Sequence, residues 1–375
     1  MRTSFDAIII GAGIHGCSLA MHLAVRQLKV AVFEQTYPAR HASGVNAGSV
    51  HHIPRLTAEL PLAELTLKMW HGIKDLLDGY DCGYRQVGHL KIAEADEDIE
   101  PMHRIAEGVE RHCSIKEVHL DRQSLFRLEP ELARNCIAGI FSPECGYAQP
   151  ARTVHGFRAK AERHGAQFFN SSRITNARRR GRVWEVSTAK DVFEAPIVVN
   201  CAGAWGEQVA GWAGDKVTVR PVALMMTVLA PMRPVMSTVI GLTRRMLSIK
   251  QFENGTVVIG GGYRGTPEME TGHTTLNYSK LGYNLRAATE VFPVLAQGQV
   301  VRSWSGIEGL SPDMLSIIGP SANEEGFWHS FAHSTHGFYL GPAVGRVLAE
   351  TIVGETPAVS LTPFHIARFM SSGSA

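Results

Sequence analysis

The stretch "AIIIGAGIHGCSLAMHLAV", residues 7–25, most restricts what this chain can become. Four residues of an apolar run enter a glycine-rich turn, and the turn opens into a segment rich in Ala and Leu. That order reads as a short buried parallel strand followed by a helix through about Val25. Gly11, Gly13 and Gly16 fit G-x-G-x-x-G. Gly11 permits the tight turn, Gly13 lets the backbone approach a pyrophosphate, and Gly16 lets helix and strand pack closely. The helix start, at Ile14 and His15, offers free N–H groups and a positive dipole end to phosphates. A second apolar strand, "KVAVFE", ends at Glu34, 23 residues beyond Gly11, with Gln35 next. An acid there meets the ribose hydroxyls of an adenine dinucleotide.

The motif alone does not separate NAD from FAD. The segment after Glu34 is not the next β-α unit of an NAD domain but a polar, glycine-rich stretch, Ala39 to Ser49. Much later, "APIVVNCAGAWGEQVAG" reads as a strand (Ile197 to Asn200), a small-residue turn and a helix. Near the end, "GFWHSFAHSTHGFYLGPAVGRVLAETIVG" reads as a strand, a glycine loop and a helix beginning near Pro342. Three separated glycine-rich approaches imply one long ligand crossing a discontinuous α/β domain. Residues 216–310 are strand-rich, with a hairpin signal at Glu253 to Gly255 and one helix around Ser279 to Val291. The division expected is 1–80, 150–215 and 320–375 for the dinucleotide domain, and 81–149 and 216–319 for an interleaved, mostly antiparallel domain.

The totals exclude several classes. A net charge of +2 gives no nucleic-acid or membrane argument. The basic run Arg178 to Arg182 reads as a solvated hairpin turn centred on Gly181. Six cysteines, none in a C-x-x-C pair, indicate neither zinc nor an iron–sulfur cluster on this chain, so no metal ligands are assigned. Buried single cysteines fit a reducing, cytoplasmic compartment. The apolar run before Gly11 is too short for a signal peptide, and no 18-residue apolar run reads as an integral membrane segment.

Six stretches occur in the order of one known family: "AIIIGAGIHGCSLAMHLA", "ASGVNAG", "YAQPART", "VVNCAGAWG", "RSWSGIEGLSPDMLSIIGPS" and "HGFYLGPAVGRVLAE". Over almost its whole length the chain resembles the FAD-dependent D-amino acid, glycine and sarcosine oxidase superfamily. The C-terminal pair, W-x-G-x-x-x-x-x-P-D then H-G-F-x-x-x-P-x-x-G, is the more specific part. The tail is most similar to FAD-carrying β subunits of heteromeric amine dehydrogenases, among them opine oxidases, proline and D-hydroxyproline dehydrogenases, hydrogen cyanide synthase and sarcosine oxidase.

The resemblance implies an α/β (α+β overall) fold: a discontinuous, Rossmann-like FAD domain with an interleaved substrate domain on a mostly antiparallel sheet. It places Gly11, Gly13 and Gly16 at the pyrophosphate and Glu34 at the ribose. Ser43, Asn46, Ala47 and Gly48 would line the flavin, Ala202, Gly203 and Trp205 the pyrophosphate and ribityl chain. His336, Gly337, Phe338, Tyr339 and Leu340 would run along the pyrimidine edge. It implies oxidation of the C–N bond of an amino acid or opine by hydride transfer to FAD, with no general base assigned. No cysteine lies near "RSWSGIEG", so the FAD is expected to be non-covalent. FMN and an iron–sulfur cluster would belong at or in partner subunits.

The chain departs from the family where many members read the substrate carboxylate with arginine in "G-x-R-P". Glu308 and Gly309 stand there. Glu308 either pairs with Arg302 or another buried cation, or contacts an amine-bearing substrate or second subunit. By the resemblance, "SVHHIPR" reaches the substrate side of the flavin, making His51, His52 and Arg55 candidates to read a carboxylate. Tyr339 is a further candidate substrate contact, Tyr263 one to close the pocket, and His336 one to bond the flavin or a neighbouring loop. The expected activity is that of a catalytic subunit of a heteromeric opine or amino acid dehydrogenase. The alternatives are a stand-alone D-amino acid or N-methyl amino acid oxidase making hydrogen peroxide, and a non-catalytic FAD-bearing assembly subunit.

Overall fold

A computed structural model describes residues 3–51 and 56–370. The Ala7–Ile10 strand, buried at all four positions, lies inside a six-stranded sheet. Its parallel neighbours are Ile197–Asn200 and Val30–Phe33. Phe327–Phe331 and Gln167–Phe169 extend the sheet in parallel, and Ile317–Pro320 adds an antiparallel edge.

Strand alternation decides what covers each face. Ala7, Ile9, Val30, Val32 and Val199 pack beneath the helices Ile14–Val25, Pro150–Arg163 and Gly337–Ile352. Ile8, Ile10, Ala31, Phe33 and Val198 meet Trp184, Val186 and Phe193 of a small sheet on the other face. That sheet contains the Asn176–Arg180/Val183–Ser187 hairpin, turned at Gly181 with φ +62°. Its Arg178 and Arg180 both reach the buried Glu185.

The last helix begins at Gly337, not near Pro342 as expected from sequence. A Cβ on Gly337 would sit 2.9 Å from His333 Cβ, so glycine lets the chain coil there. Pro342 falls inside the helix and withholds one backbone N–H a turn and a half in. Its carbonyl accepts from Ser18 Oγ, 3.4 Å away, on the first helix. These two helices touch at Gly345, where a Cβ would stand 2.2 Å from Ser18 Oγ and 2.8 Å from Leu19 N. Gly345→Ala should therefore lower stability by about 1–3 kcal/mol, the cost of overpacking. A urea midpoint shifted down at unchanged m-value would show it.

A ten-stranded, mostly antiparallel sheet forms the second layer. Val239–Leu242 pairs in parallel with His89–Ala93, while Ser248–Gln251 and Val257–Gly260 form the hairpin signalled at Glu253 to Gly255. Ile240, Ile249, Val257 and Ile259 pack under the Tyr278–Val291 helix. The alternate residues Ser248 and Lys250 therefore face the first layer. The expected boundary at 319/320 cuts through Ile317–Pro320; the second sheet instead ends at Leu310, with Val300–Leu310. The buried Ile317 and Ile318 draw that segment into the first sheet. Among the described residues no helix is long and apolar enough to cross a membrane.

Candidate active site

A cavity of about 690 Å³ runs between the two layers, inside the ~300–1,000 Å³ range of small-molecule and cofactor sites. One end is walled by Gly11, Gly13, His15, Glu34, Gln35, Ala202, Gly203 and Trp205. Gly11 has φ +110°, and a Cβ there would meet the Cys201 carbonyl at 2.4 Å. A Cβ on Gly16 would lie 2.0 Å from the Gly11 carbonyl, so Gly16 serves helix–strand packing. Glu34 Oε2 accepts from Ala12 N–H at 3.0 Å and Oε1 from Thr36 N–H at 3.0 Å, fixing the carboxylate over the strand ends. Ile14 is in the core, and its N–H donates to Ser43 Oγ at 3.0 Å.

Ser43, Asn46, Ala47 and Gly48 continue the wall. Asn46 holds this loop by donating to the Ala42 carbonyl and accepting from Gly48 N–H. His336, Gly337, Phe338 and Tyr339 form the opposite edge; Leu340 is wholly buried in the core behind them. His336 Nδ1 lies 2.7 Å from the buried Glu59 carboxylate, so its partner is a neighbouring element. The turn before it is strained: Ala332, Ser334 and Thr335 have φ +50°, +50° and +76°. A β-branched residue in that region is an outlier that surrounding contacts must hold. Glu308 supplies one such contact by accepting the Thr335 N–H. Arg302 is exposed on the same strand and does not take that role. Glu308 also borders the cavity.

The far end is lined by His51, His89, Lys91, Ser49 and Ser248. The His51 ring lies 4.8 Å from His89 and 6.0 Å from Tyr339. His52 and Arg55 lie outside the described residues. Tyr263 does not line the cavity, although Gly261 and Gly262 do. Their φ values of +129° and +100° turn the chain so that backbone, not the tyrosine, borders the space.

Sequence reasoning missed His89, Lys91 and His333. In "HLKIA" the polar–apolar alternation marks His89 and Lys91 as one strand face. His333 stacks on His15 at 3.5 Å, and His15 Nε2 donates to the Gly337 carbonyl at 2.8 Å. Burial holds both histidines well below their ordinary pKa, His333 at about 4. Both are therefore neutral near pH 7.

The wall contains buried polar atoms without a partner among the described residues: His15 Nδ1, His333 Nδ1 and the Tyr339 hydroxyl. An elongated cavity with a glycine cradle at one end and such atoms along it fits FAD. Burial also raises the Tyr339 phenol well above its usual value, so it stays protonated and can donate.

A family model described as FAD dependent oxidoreductase, DAO, matches residues 6–351. The chain is 24% identical to the glycine oxidase of Geobacillus kaustophilus, covering 98% of both chains. It is 24% identical to sarcosine oxidase subunit beta of Arthrobacter sp, covering 98% of this chain and 92% of that one. The crystal structure of L-proline dehydrogenase from P. horikoshii superimposes with a TM-score of 0.91 at 22% identity, over 99% of each chain.

Proposed function

Because the chain belongs to the DAO family of FAD-dependent oxidoreductases, we propose that it oxidises the C–N bond of an amino acid-like primary or secondary amine. We place it as the catalytic subunit of a heteromeric opine or amino acid dehydrogenase. One observation carries the reading: a single cavity joins the glycine cradle to a wall of His51, His89 and Lys91. Bound FAD supplies the hydride acceptor. The protein's task is then to hold the carbon–hydrogen bond against it and keep water out. Gly11, Gly13 and the N-terminus of Ile14–Val25 would hold the pyrophosphate, and Glu34 the ribose. The Gly337–Ile352 helix would turn its positive end toward the ligand.

Imidazole and ammonium groups at the far end suit a carboxylate next to the reacting amine. The FAD is proposed to be non-covalent. Cys201 borders the cavity, but burial pushes its thiol up, which keeps it protonated and poorly nucleophilic. FMN or an iron–sulfur centre would sit at or in partner subunits. The similarity to sarcosine oxidase subunit beta supports a partner-bound role. The equal similarity to glycine oxidase supports the second reading, a stand-alone oxidase returning electrons to oxygen. Purification from the native host separates them: co-purifying subunits with poor peroxide yield support the first, a lone chain with stoichiometric peroxide the second.

His51→Ala should keep its FAD and lose roughly ten- to a hundred-fold in kcat/KM, as expected for ~1.5–3 kcal/mol from a hydrogen bond to a charged group. His51→Gln, which retains a donor, should recover part of it. Unchanged flavin reduction at subsaturating amine would assign the carboxylate to another group.

A further inference from the structure

Lys250 is buried to 1% exposure on the Ser248–Gln251 strand, on the face turned toward the cavity layer. Among the described residues no carboxylate pairs with it. Its Nζ lies 3.1 Å from Ser49 Oγ, and Ser49 borders the cavity directly after the Gly48 loop. Ser248, two residues before Lys250, also borders the cavity, with its hydroxyl 3.5 Å from that of Ser49. The lysine is thus one hydroxyl removed from the end where His51 and His89 lie. Packing alone does not require an amine here; Met would fill a similar volume without a desolvated nitrogen.

We propose that Lys250 and Ser49 form a proton relay that takes the ammonium proton from the bound amine substrate. This rests on the amine-oxidising reading above. The substrate N–H proton passes to Ser49 Oγ as the Ser49 proton passes to Lys250 Nζ. No electron moves in this step; the substrate nitrogen recovers the lone pair that hydride loss from its carbon requires. The proton returns along the same path as product leaves, restoring the neutral lysine.

Burial lowers Lys250 to about 7, so a large neutral fraction exists near pH 7. The groups facing it are the Ser49 hydroxyl and the rings of Tyr147 and Phe252, each 5.9 Å away. Burial raises the Tyr147 phenol, which stays neutral. Beyond the rings, Arg85 is bound to Glu253 and Asp81. His51 continues the Ser49 segment, and His89 lies against Gly241, which pairs with Ser248.

The test follows anaerobic reduction of the FAD-loaded protein by glycine, sarcosine, L-proline and an N-carboxyalkyl amino acid across pH 6–10. Wild type should plateau above an apparent pKa near 7. Lys250→Met should reduce flavin about 100-fold more slowly at pH 7 and recover as pH approaches 10. Ser49→Ala, which keeps the lysine, should shift the profile the same way, and Ser49→Thr should restore it. A slower variant with the wild-type profile is what a packing role produces, and it overturns the relay alone. A wild-type flavin that none of these amines reduces overturns the relay together with the reaction. Independently of turnover, lysine Cε NMR of the holoprotein should show one resonance titrating near 7, lost in Lys250→Met; titration near 10.5 overturns the relay.

Discussion

At pH 5 this protein should have lost on the order of 4 kcal/mol or more of the folding free energy it has at pH 7.5. The cause is three buried histidines. His15, His22 and His333 are each under 9% exposed. Burial lowers all three, His22 to about 3, His333 to about 4 and His15 well below 6.5. His15 and His333 also stack on each other, so charging one opposes charging the other. A group depressed in the folded state contributes its full stability above the unfolded value of 6.5. That contribution is lost as pH falls from 6.5 toward the folded value. His22 and His333 then each cost ~2 kcal/mol at pH 5, His15 adds to the loss, and together they consume a large part of the ~5–15 kcal/mol typical of a folded protein. Asp215 adds to the acid loss only further down, below its unfolded value of 3.8: burial alone would raise it, but hydrogen bonds from His329, Ser321 and Ala322 together hold it low. Urea unfolding at pH 7.5, 6 and 5 measures the slope. His22→Leu should remove one proton from it, about 1.4 kcal/mol per pH unit. Equal stability at pH 5 and 7.5 would sink the idea. Since His15 and His333 both border the cavity, acid should also release the flavin before global unfolding.

The parts legible in the sequence are those that local backbone geometry enforces. The turn at Gly11 needs a positive φ, and Gly16 needs the absence of a side chain against a carbonyl; both demands are written in residue type. The hairpins at Gly181 and Gly255 are legible for the same reason. The start of the last helix is misread because Pro342 is a strong local signal. Gly337 is required there because His15 and His333, distant or non-helical partners, leave no room for a Cβ.

Glu308 illustrates the other limit. Its acceptor role depends on the strained turn at Thr335, 27 residues away, and nothing in either segment announces the pairing. Lys250 is a similar case. "SIKQ" reads as an ordinary half-exposed strand, and the lysine is buried against the nearby Phe252 ring and against Ser49 and the Tyr147 ring, which come from elsewhere in the chain. His89 joins His51 through two layers and a parallel strand pairing that no local pattern specifies.

Gly13→Leu should yield a folded protein almost devoid of flavin. Gly13 has φ −75°, which any residue adopts, so leucine meets no backbone penalty. A Cβ there would approach only Ser43, with Oγ at 2.8 Å and Cβ at 3.7 Å, and that hydroxyl can rotate away at the cost of the Ile14 N–H bond it accepts. The side chain then projects into the cavity that Gly13 borders, where the pyrophosphate would need direct access to the turn. Affinity for FAD should fall at least about 1,000-fold, which corresponds to ~4 kcal/mol. Gly11→Ala should behave differently. It places a Cβ 2.4 Å from the Cys201 carbonyl at φ +110°, so two backbone segments must part and the fold itself should weaken. The pair of variants separates loss of ligand from loss of structure. Flavin absorbance per protein, with a urea midpoint for each apoprotein, decides it. A yellow Gly13→Leu protein with wild-type flavin content would mean that the pyrophosphate does not approach this turn.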